Sequence, residues 1–255
     1  LHLSIRRQRQ MCIRDRGNSE LEVSNICLGT WPIGGGMGAI EQKDAIDAIH
    51  ASIDSGINFL DTAQMYFDSE YILGKAIKGK RNKIILASKL SSWKNINDIE
   101  KALENSLKNL QTDVIDLYQI HSWQESIPME DTFSKLLELK EKGYFKYLGV
   151  SNFSAKQIEK MNKFSGNQII SSQPHFSILF RHSEKEIIPQ SHSLGIGSIV
   201  YSPIARGLLS GKYKPGHIFN EDDARHNHHT FEDEHLEKGL KIYNILLEWI
   251  KDKGF

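Results

Sequence analysis

Short apolar or β-branched runs recur along the chain, beginning near Ile26, Ile57, Ile84, Ile115, Phe145, Ile169 and Ser198. Their onsets lie roughly 24 to 31 residues apart, the length of one strand–loop–helix–loop unit. Between the runs, apolar positions switch to helical spacing. Ile46, Ile49 and Ile53 share one face and stop at Gly56, a natural C-terminal breaker. Ile99, Leu103, Leu107 and Leu110 form a second stripe, for which Asn97 and Glu100 are spaced as a cap pair. Phe133, Leu136, Leu137 and Lys140 precede Gly143, and Ile158 with Met161 follows a cap at Ser154 and Gln157. Leu236, Leu240, Tyr243, Leu247 and Ile250 give the cleanest stripe. Strands alternating with helices in this way predict an α/β fold with a parallel sheet and the helices outside it.

Four polar residues sit at or just past the C-terminal ends of three of these runs: Asp61, Tyr66, Lys89 and His121. In a barrel of alternating units, catalytic groups come from strand ends on one face, so residues distant in sequence converge on one pocket. A carboxylate, a phenol, an amine and an imidazole are the parts for proton transfer to a carbonyl oxygen. Each alone has a structural explanation. Asp61 suits backbone N–H groups at a strand end, Tyr66 a half-buried loop, Lys89 a solvated strand terminus and His121 a hydrogen-bonded core.

Composition adds little. The 255 residues suit one large domain with a buried core, although the length also accommodates two. With 32 basic against 32 acidic residues, there is no long-range pull toward nucleic acid or an anionic membrane. No apolar run approaches the roughly 18 residues of a membrane span. Two cysteines, Cys12 and Cys27, form no pairing framework and read as structural thiols of a cytoplasmic protein.

The stretch Asn58-Phe59-Leu60-Asp61-Thr62-Ala63-Gln64-Met65-Tyr66, then Ser88-Lys89 and Tyr118-Gln119-Ile120-His121, resembles the aldo-keto reductases. Leu28-Gly29-Thr30-Trp31, Gly149-Val150-Ser151-Asn152-Phe153-Ser154, Tyr201-Ser202-Pro203 and Gly207-Leu208-Leu209-Ser210-Gly211-Lys212 agree, so the resemblance runs from about Gly17 to the last residue. It implies a (β/α)8 TIM barrel that reduces aldehydes or ketones, with Asp61, Tyr66, Lys89 and His121 as the catalytic tetrad. No side chain donates hydride, so the chemistry needs a nicotinamide cofactor: NADPH, with NADH as the open alternative. Tyr66 would be the general acid, and Lys89 the cation that lowers its pKa. Asp61 would pair with Lys89, and His121 would orient the substrate oxygen or relay a proton. The partner is a small-molecule carbonyl substrate; the pattern specifies no oligomeric state.

The resemblance also places Ser151, Asn152 and Gln173 on the nicotinamide carboxamide. Tyr201 stacks under the ring in that reading, or else is a core aromatic. Gly207, Leu208 and Gly211 bring backbone N–H groups to a pyrophosphate while Lys212 supplies charge, the alternative being a plain flexible loop. Gly29, Thr30, Trp31, Ser202 and Pro203 complete the expected cofactor contacts. Trp31, Trp93 and Trp123 wall a substrate pocket or pack in the core.

Several features depart from the pattern. Gln173-Pro174 leads into His175-Phe176-Ser177 where the family commonly has a Tyr-Asn pair. Arg225-His226-Asn227-His228-His229, with His217 and His235, has the composition of a metal site but not the ligand spacing, and no metal is expected. Gly34-Gly35-Gly36-Met37-Gly38-Ala39 loosely fits a dinucleotide fingerprint, and Tyr71 with Lys75 has the spacing of short-chain dehydrogenases. Neither lies where those motifs belong. Seven units are counted where a closed barrel has eight, so residues 17–255 are expected to form a C-terminally truncated barrel without the 2′-phosphate contacts. Residues 1–16, basic and without periodicity, are set apart as a foreign or disordered extension, an organelle-targeting segment being the alternative. A second functional reading keeps the fold without the catalysis: a regulatory binding protein, like the potassium-channel β subunits.

Overall fold

The computed structural model describes residues 13–15 and 19–254. It opens with an antiparallel pair, β1 (Ile13–Asp15) on β2 (Glu22–Ser24), in which Ile13 faces Ser24 and Asp15 faces Glu22. β1 therefore falls inside the segment set apart from the fold on sequence grounds; residues 1–12 and 16–18 lie outside the described residues. Seven strands follow in one parallel sheet: β3 (Cys27–Gly29), β4 (Phe59–Asp61), β5 (Ile85–Leu90), β6 (Ile115–Ile120), β7 (Phe145–Ser151), β8 (Ile169–Gln173) and β9 (Gly197–Ser198). Each expected onset lies within about two residues of an observed strand start, because runs buried on both faces leave a continuous apolar signature.

Each strand pairs only with its neighbours in the sequence, and each is followed by a helix. These are α1 (Gln42–Asp54), α2 (Ser69–Ala76), α3 (Ile96–Leu110), α4 (Met129–Glu141), α5 (Ala155–Phe164), α6 (Ile187–Ser193) and α7 (Asp233–Asp252). The result is a curled sheet made of seven βα units of a (β/α)8 TIM barrel. Among the described residues, no helix is long and apolar enough to cross a membrane.

Two apolar layers hold it together. Leu60, Leu86, Tyr118 and Leu148 point outward and pack under Ile49, Leu73, Leu103, Phe133 and Ile158 of the helices. Their sequence neighbours Phe59, Ala87 and Leu117 join Ile170 and Ile199 in a smaller inner cluster, which Leu21 and Val23 reach from the β1–β2 side. Side chains alternate along a strand. The next inward positions above Phe59, Ala87 and Leu117 are therefore Asp61, Lys89 and Gln119.

Helix starts were partly legible. The Ser154–Gln157 capping box at α5 forms as expected. At α3 the cap is not the Asn97–Glu100 pair but Asn95 with Asp98: the Asn97 N–H donates to Asn95 Oδ1 at 3.0 Å, and Asp98 reaches back to the Asn95 backbone. Glu100 lies within the helix, where it accepts from Lys135 and Lys142 instead. Asn95→Ala is expected to cost about 1 kcal/mol, the usual loss of an N-cap acceptor, and Asn97→Ala only a few tenths. Urea-unfolding midpoints would check the difference, and equal costs would return the cap to Asn97.

Candidate active site

The inward parity of β4, β5 and β6 brings an ammonium into the centre of the barrel. Lys89 has no solvent exposure, and its Nζ donates to Asp61 Oδ1, to the Thr62 carbonyl at 2.9 Å and to the Tyr66 hydroxyl at 3.4 Å. The second Asp61 oxygen accepts from Gln119 Nε2 at 3.0 Å and Gln173 Nε2 at 3.1 Å. Burial opposes the ammonium charge most strongly of any one influence, yet the Asp61 carboxylate and the Tyr66 hydroxyl together outweigh it and hold the Lys89 pKa above its ordinary value. Sequence reasoning missed Gln119. Its signal was available, since it stands two residues before His121 on the same strand face.

Tyr66 hangs over this pair on the loop after β4. Its backbone is fixed by Tyr66 N–H to the Ala63 carbonyl at 3.0 Å and by Ser69 N–H to its own carbonyl at 2.9 Å. Burial pushes the phenol above its ordinary pKa, while the Lys89 charge pulls it down by less. This corrects the expectation of a lowered phenol: Lys89 lies at 3.4 Å, but its charge is largely answered by Asp61.

His121, just past β6, packs edge-on to Tyr66 with ring centroids 5.6 Å apart, and its Nδ1 meets Ser91 Oγ at 2.9 Å. Burial, assisted by the Lys89 charge, lowers its pKa to about 4, so the ring is neutral at physiological pH. All four tetrad side chains expected from the sequence thus converge.

The expected cofactor residues border this group. Ser151 Oγ donates to the Gln173 carbonyl at 2.9 Å, and Asn152 Nδ2 to the His121 carbonyl at 2.9 Å, with Asn152 at φ 56°. The Tyr201 hydroxyl donates to Asn152 Oδ1 at 2.9 Å. His175, at the position of the departure noted above, stacks on one face of Tyr201 at 4.9 Å and 8°, and Phe180 stacks in turn on His175 at 4.8 Å. Tyr201 is only half-buried, and the Gln173 amide oxygen accepts no hydrogen bond among the described residues, which leaves an acceptor for a carboxamide N–H. These residues fit a nicotinamide.

Of the three tryptophans expected at a substrate pocket, Trp31 reaches the tetrad, edge-on to Tyr66 at 4.9 Å. Trp93 is buried in the main core, and Trp123 packs on Phe153 at 5.2 Å. The loop of residues 34–38 is glycine-rich for steric reasons. A Cβ on Gly34 would lie 1.9 Å from the Tyr66 carbonyl oxygen, and one on Gly36 2.3 Å from the Trp31 ring. Arg225 ties this loop to the segment after β9, donating to the Met37 carbonyl at 2.9 Å while paired with Asp223. Lys75 lies over the Tyr71 ring at 4.2 Å on α2, remote from this constellation. The histidines after Arg225 have other partners: His226 Nδ1 meets the Phe219 carbonyl at 2.7 Å, and His228 Nδ1 accepts from Thr230 N–H at 3.2 Å.

A buried Lys–Asp pair under a tyrosine and a neutral histidine, at the C-terminal ends of barrel strands, defines a class of oxidoreductase site. The comparisons agree: residues 25–255 match the aldo/keto reductase family pattern. The chain is 38% identical over 240 residues to aldo-keto reductase YhdN of Bacillus subtilis, covering 89% of this chain and 72% of the relative. It is 32% identical over 241 residues to probable aldo-keto reductase 1 of Glycine max, covering 89% and 69%. Among solved structures, the glycerol dehydrogenase AKR11B4 from Gluconobacter oxydans superposes with a TM-score of 0.84 at 32% identity, over 95% of this chain and 78% of that one. Aldo-keto reductase AKR11C1 from Bacillus halodurans gives 0.73 at 34%, over 83% and 73%. The chain belongs to the aldo/keto reductase family and is an NAD(P)H-dependent oxidoreductase.

The lowered His121 pKa carries a stability consequence. Between its unfolded value near 6.5 and its folded value of about 4, the unfolded chain binds the extra proton, so stability is present above pH 6.5 and is lost as pH falls through that window. His121→Gln is therefore expected to flatten the pH dependence of the melting temperature between pH 6.5 and 4. His228, also held at about 4, leaves a residual slope. Identical slopes in wild type and variant would place His121 outside the buried site.

Proposed function

We propose that this chain reduces aldehydes or ketones to alcohols with NADPH as hydride donor, NADH being the alternative, and with Tyr66 as general acid. One observation carries the reading: a fully buried ammonium is compensated by Asp61 yet still within 3.4 Å of a phenol hydroxyl. Ser151, Asn152, Gln173 and Tyr201 would hold the nicotinamide, and residues 207–212 the pyrophosphate. Gly29, Thr30, Trp31, Ser202 and Pro203 would line the same groove. When bound, the cofactor supplies the hydride.

The protein supplies the proton. A phenol with a raised pKa stays protonated at neutral pH, the form a donor requires. As negative charge develops on the carbonyl oxygen, Tyr66 releases its proton, and Lys89 stabilises the phenolate left behind. Asp61 keeps Lys89 charged throughout. His121, neutral, offers its remaining ring nitrogen to the substrate oxygen without adding charge, while Ser91 fixes the ring. Trp31 shields one side of Tyr66, and the partly buried Trp123 is assigned to the outer pocket, whereas Trp93 packs in the main core. The balanced charge and small-molecule chemistry suit a cytosolic enzyme.

Tyr66→Phe is expected to lower kcat for 4-nitrobenzaldehyde on the order of 10²-fold or more, while NADPH still binds, as read by quenching of protein fluorescence. Near wild-type turnover would remove Tyr66 from the mechanism. Lys89→Met tests the coupling. With the ammonium gone, the alkaline limb of the pH–rate profile should shift or collapse, and Asp61→Asn should weaken turnover through the same pair; unchanged profiles in both variants would refute it.

A further inference from the structure

Among the four arginines whose surroundings are described, all but one are paired. Arg81 donates to the Val114 carbonyl and pairs with Asp116, each at 2.7 Å. Arg181 chelates Glu184, and Arg225 pairs with Asp223 while donating to the Tyr213 hydroxyl at 2.7 Å. Arg206 makes no hydrogen bond or ion pair with any described residue, and its Nε–H is buried without an acceptor. A donor buried in this way costs free energy unless something accepts from it.

The chain holds Arg206 in place. It lies in the loop after β9, where Ser202, Ala205 and Arg206 take φ of 56°, 51° and 55°, values uncommon for residues other than glycine. On either side, Ala205 and Leu208 are buried in the cluster that fastens this loop to α7. The guanidinium is half-buried, and burial pulls its pKa down; its charge is felt at both the Tyr66 and Tyr201 hydroxyls. His175 and His228, which also sense it, are kept neutral chiefly by burial. The cation thus stands near the Tyr66 and Tyr201 hydroxyls and beside neutral histidines, with no described carboxylate paired to it.

We propose that Arg206 is an oxyanion-recognition residue, which seats a carboxylate or phosphate carried by the carbonyl substrate beside Tyr66. This rests on the carbonyl-reductase reading and names its substrate class: aldehydes or ketones with an anionic group a few atoms from the carbonyl. A planar guanidinium matches such a group through two parallel N–H donors, and the unpaired Nε–H supplies one of them. The cofactor's pyrophosphate is the other source of oxyanions in the groove. It already has Lys212 and the backbone N–H groups of residues 207–211 in the proposed arrangement, whereas the Arg206 charge acts at the tyrosines.

The test compares 4-carboxybenzaldehyde with its methyl ester in wild type, Arg206→Met and Arg206→Lys, alongside NADPH affinity. The ratio of kcat/KM for acid over ester is expected to fall about tenfold or more in Arg206→Met, through KM, equivalent to about 1.4 kcal/mol. Arg206→Lys, which keeps the charge but not the fork, should recover part of it. An unchanged ratio with NADPH affinity weakened about tenfold would assign the guanidinium to the pyrophosphate and overturn the proposal. If wild type reduces neither aldehyde, the reductase reading fails, and benzoate titration of the NADPH-saturated proteins decides on Arg206 alone. Benzoate binding that weakens tenfold in Arg206→Met supports the anion site, and equal binding overturns it.

Discussion

An ammonium with no solvent exposure is the constraint on which this structure turns. Taking a lone charge out of water costs several kcal/mol, so Lys89 is tolerable only where partners are supplied in full. They arrive from the end of β4 as the Asp61 carboxylate, from the following turn as the Thr62 carbonyl, and from the loop beyond as the Tyr66 hydroxyl. Asp61 is anchored in turn by amides from β6 and β8. Four strands must therefore end in a fixed register for one charge to be accommodated. The same register sets the ammonium against the Tyr66 hydroxyl, so this layer's stability and its polar contacts cannot be separated.

How much of this was legible depends on the range over which the information is held. Strand positions are local, written as continuous apolar runs, and could be read directly. The α5 cap was read correctly and the α3 cap two residues late, because Asn95 and Asn97 are both plausible acceptors and only the chain path selects between them. Helices α2 and α6 escaped notice. The buried face of α2 carries Ser69, Glu70 and Gly74 beside its apolar residues. Glu70 is satisfied by Ser88 and Asn109 from other elements, and a Cβ on Gly74 would lie 2.4 Å from the Asn109 carbonyl oxygen, so the helix is defined by close contact rather than by a stripe. The tetrad was visible through family resemblance and strand-end position. Gln119 was not sought, although strand parity points to it. The direction of the Tyr66 shift was misjudged because burial is a tertiary quantity, and Arg206 was overlooked because lacking a partner is a property of its whole surroundings.

The glycine-rich loop after β3 shows how a motif changes meaning in context. As a string it approximates a phosphate-binding turn. In the fold its glycines admit the Tyr66 carbonyl and the Trp31 ring at distances no side chain would allow. The loop is also where the segment after β9 fastens: Ala224 N–H donates to the Gly36 carbonyl at 3.3 Å, and Arg225 to that of Met37. Loops following the first and last described strands of the sheet are thereby joined, and the Tyr66 carbonyl packs against the loop that receives the strap.

Two cations with opposite roles follow from this arrangement. Lys89, fully buried, has its charge partly offset by the adjacent Asp61, although it still acts on Tyr66 and His121. Arg206, only half-buried, has no such partner, and its field extends over Tyr66 and Tyr201 at all times. A partly offset charge suits transition-state stabilisation, because it favours most the state in which new negative charge appears. A charge without a partner suits ground-state recognition, because it attracts an anion before chemistry begins. In the proposed mechanism the first would sit beneath the reacting oxygen, and the second at the rim, where a substrate's own charge would meet it.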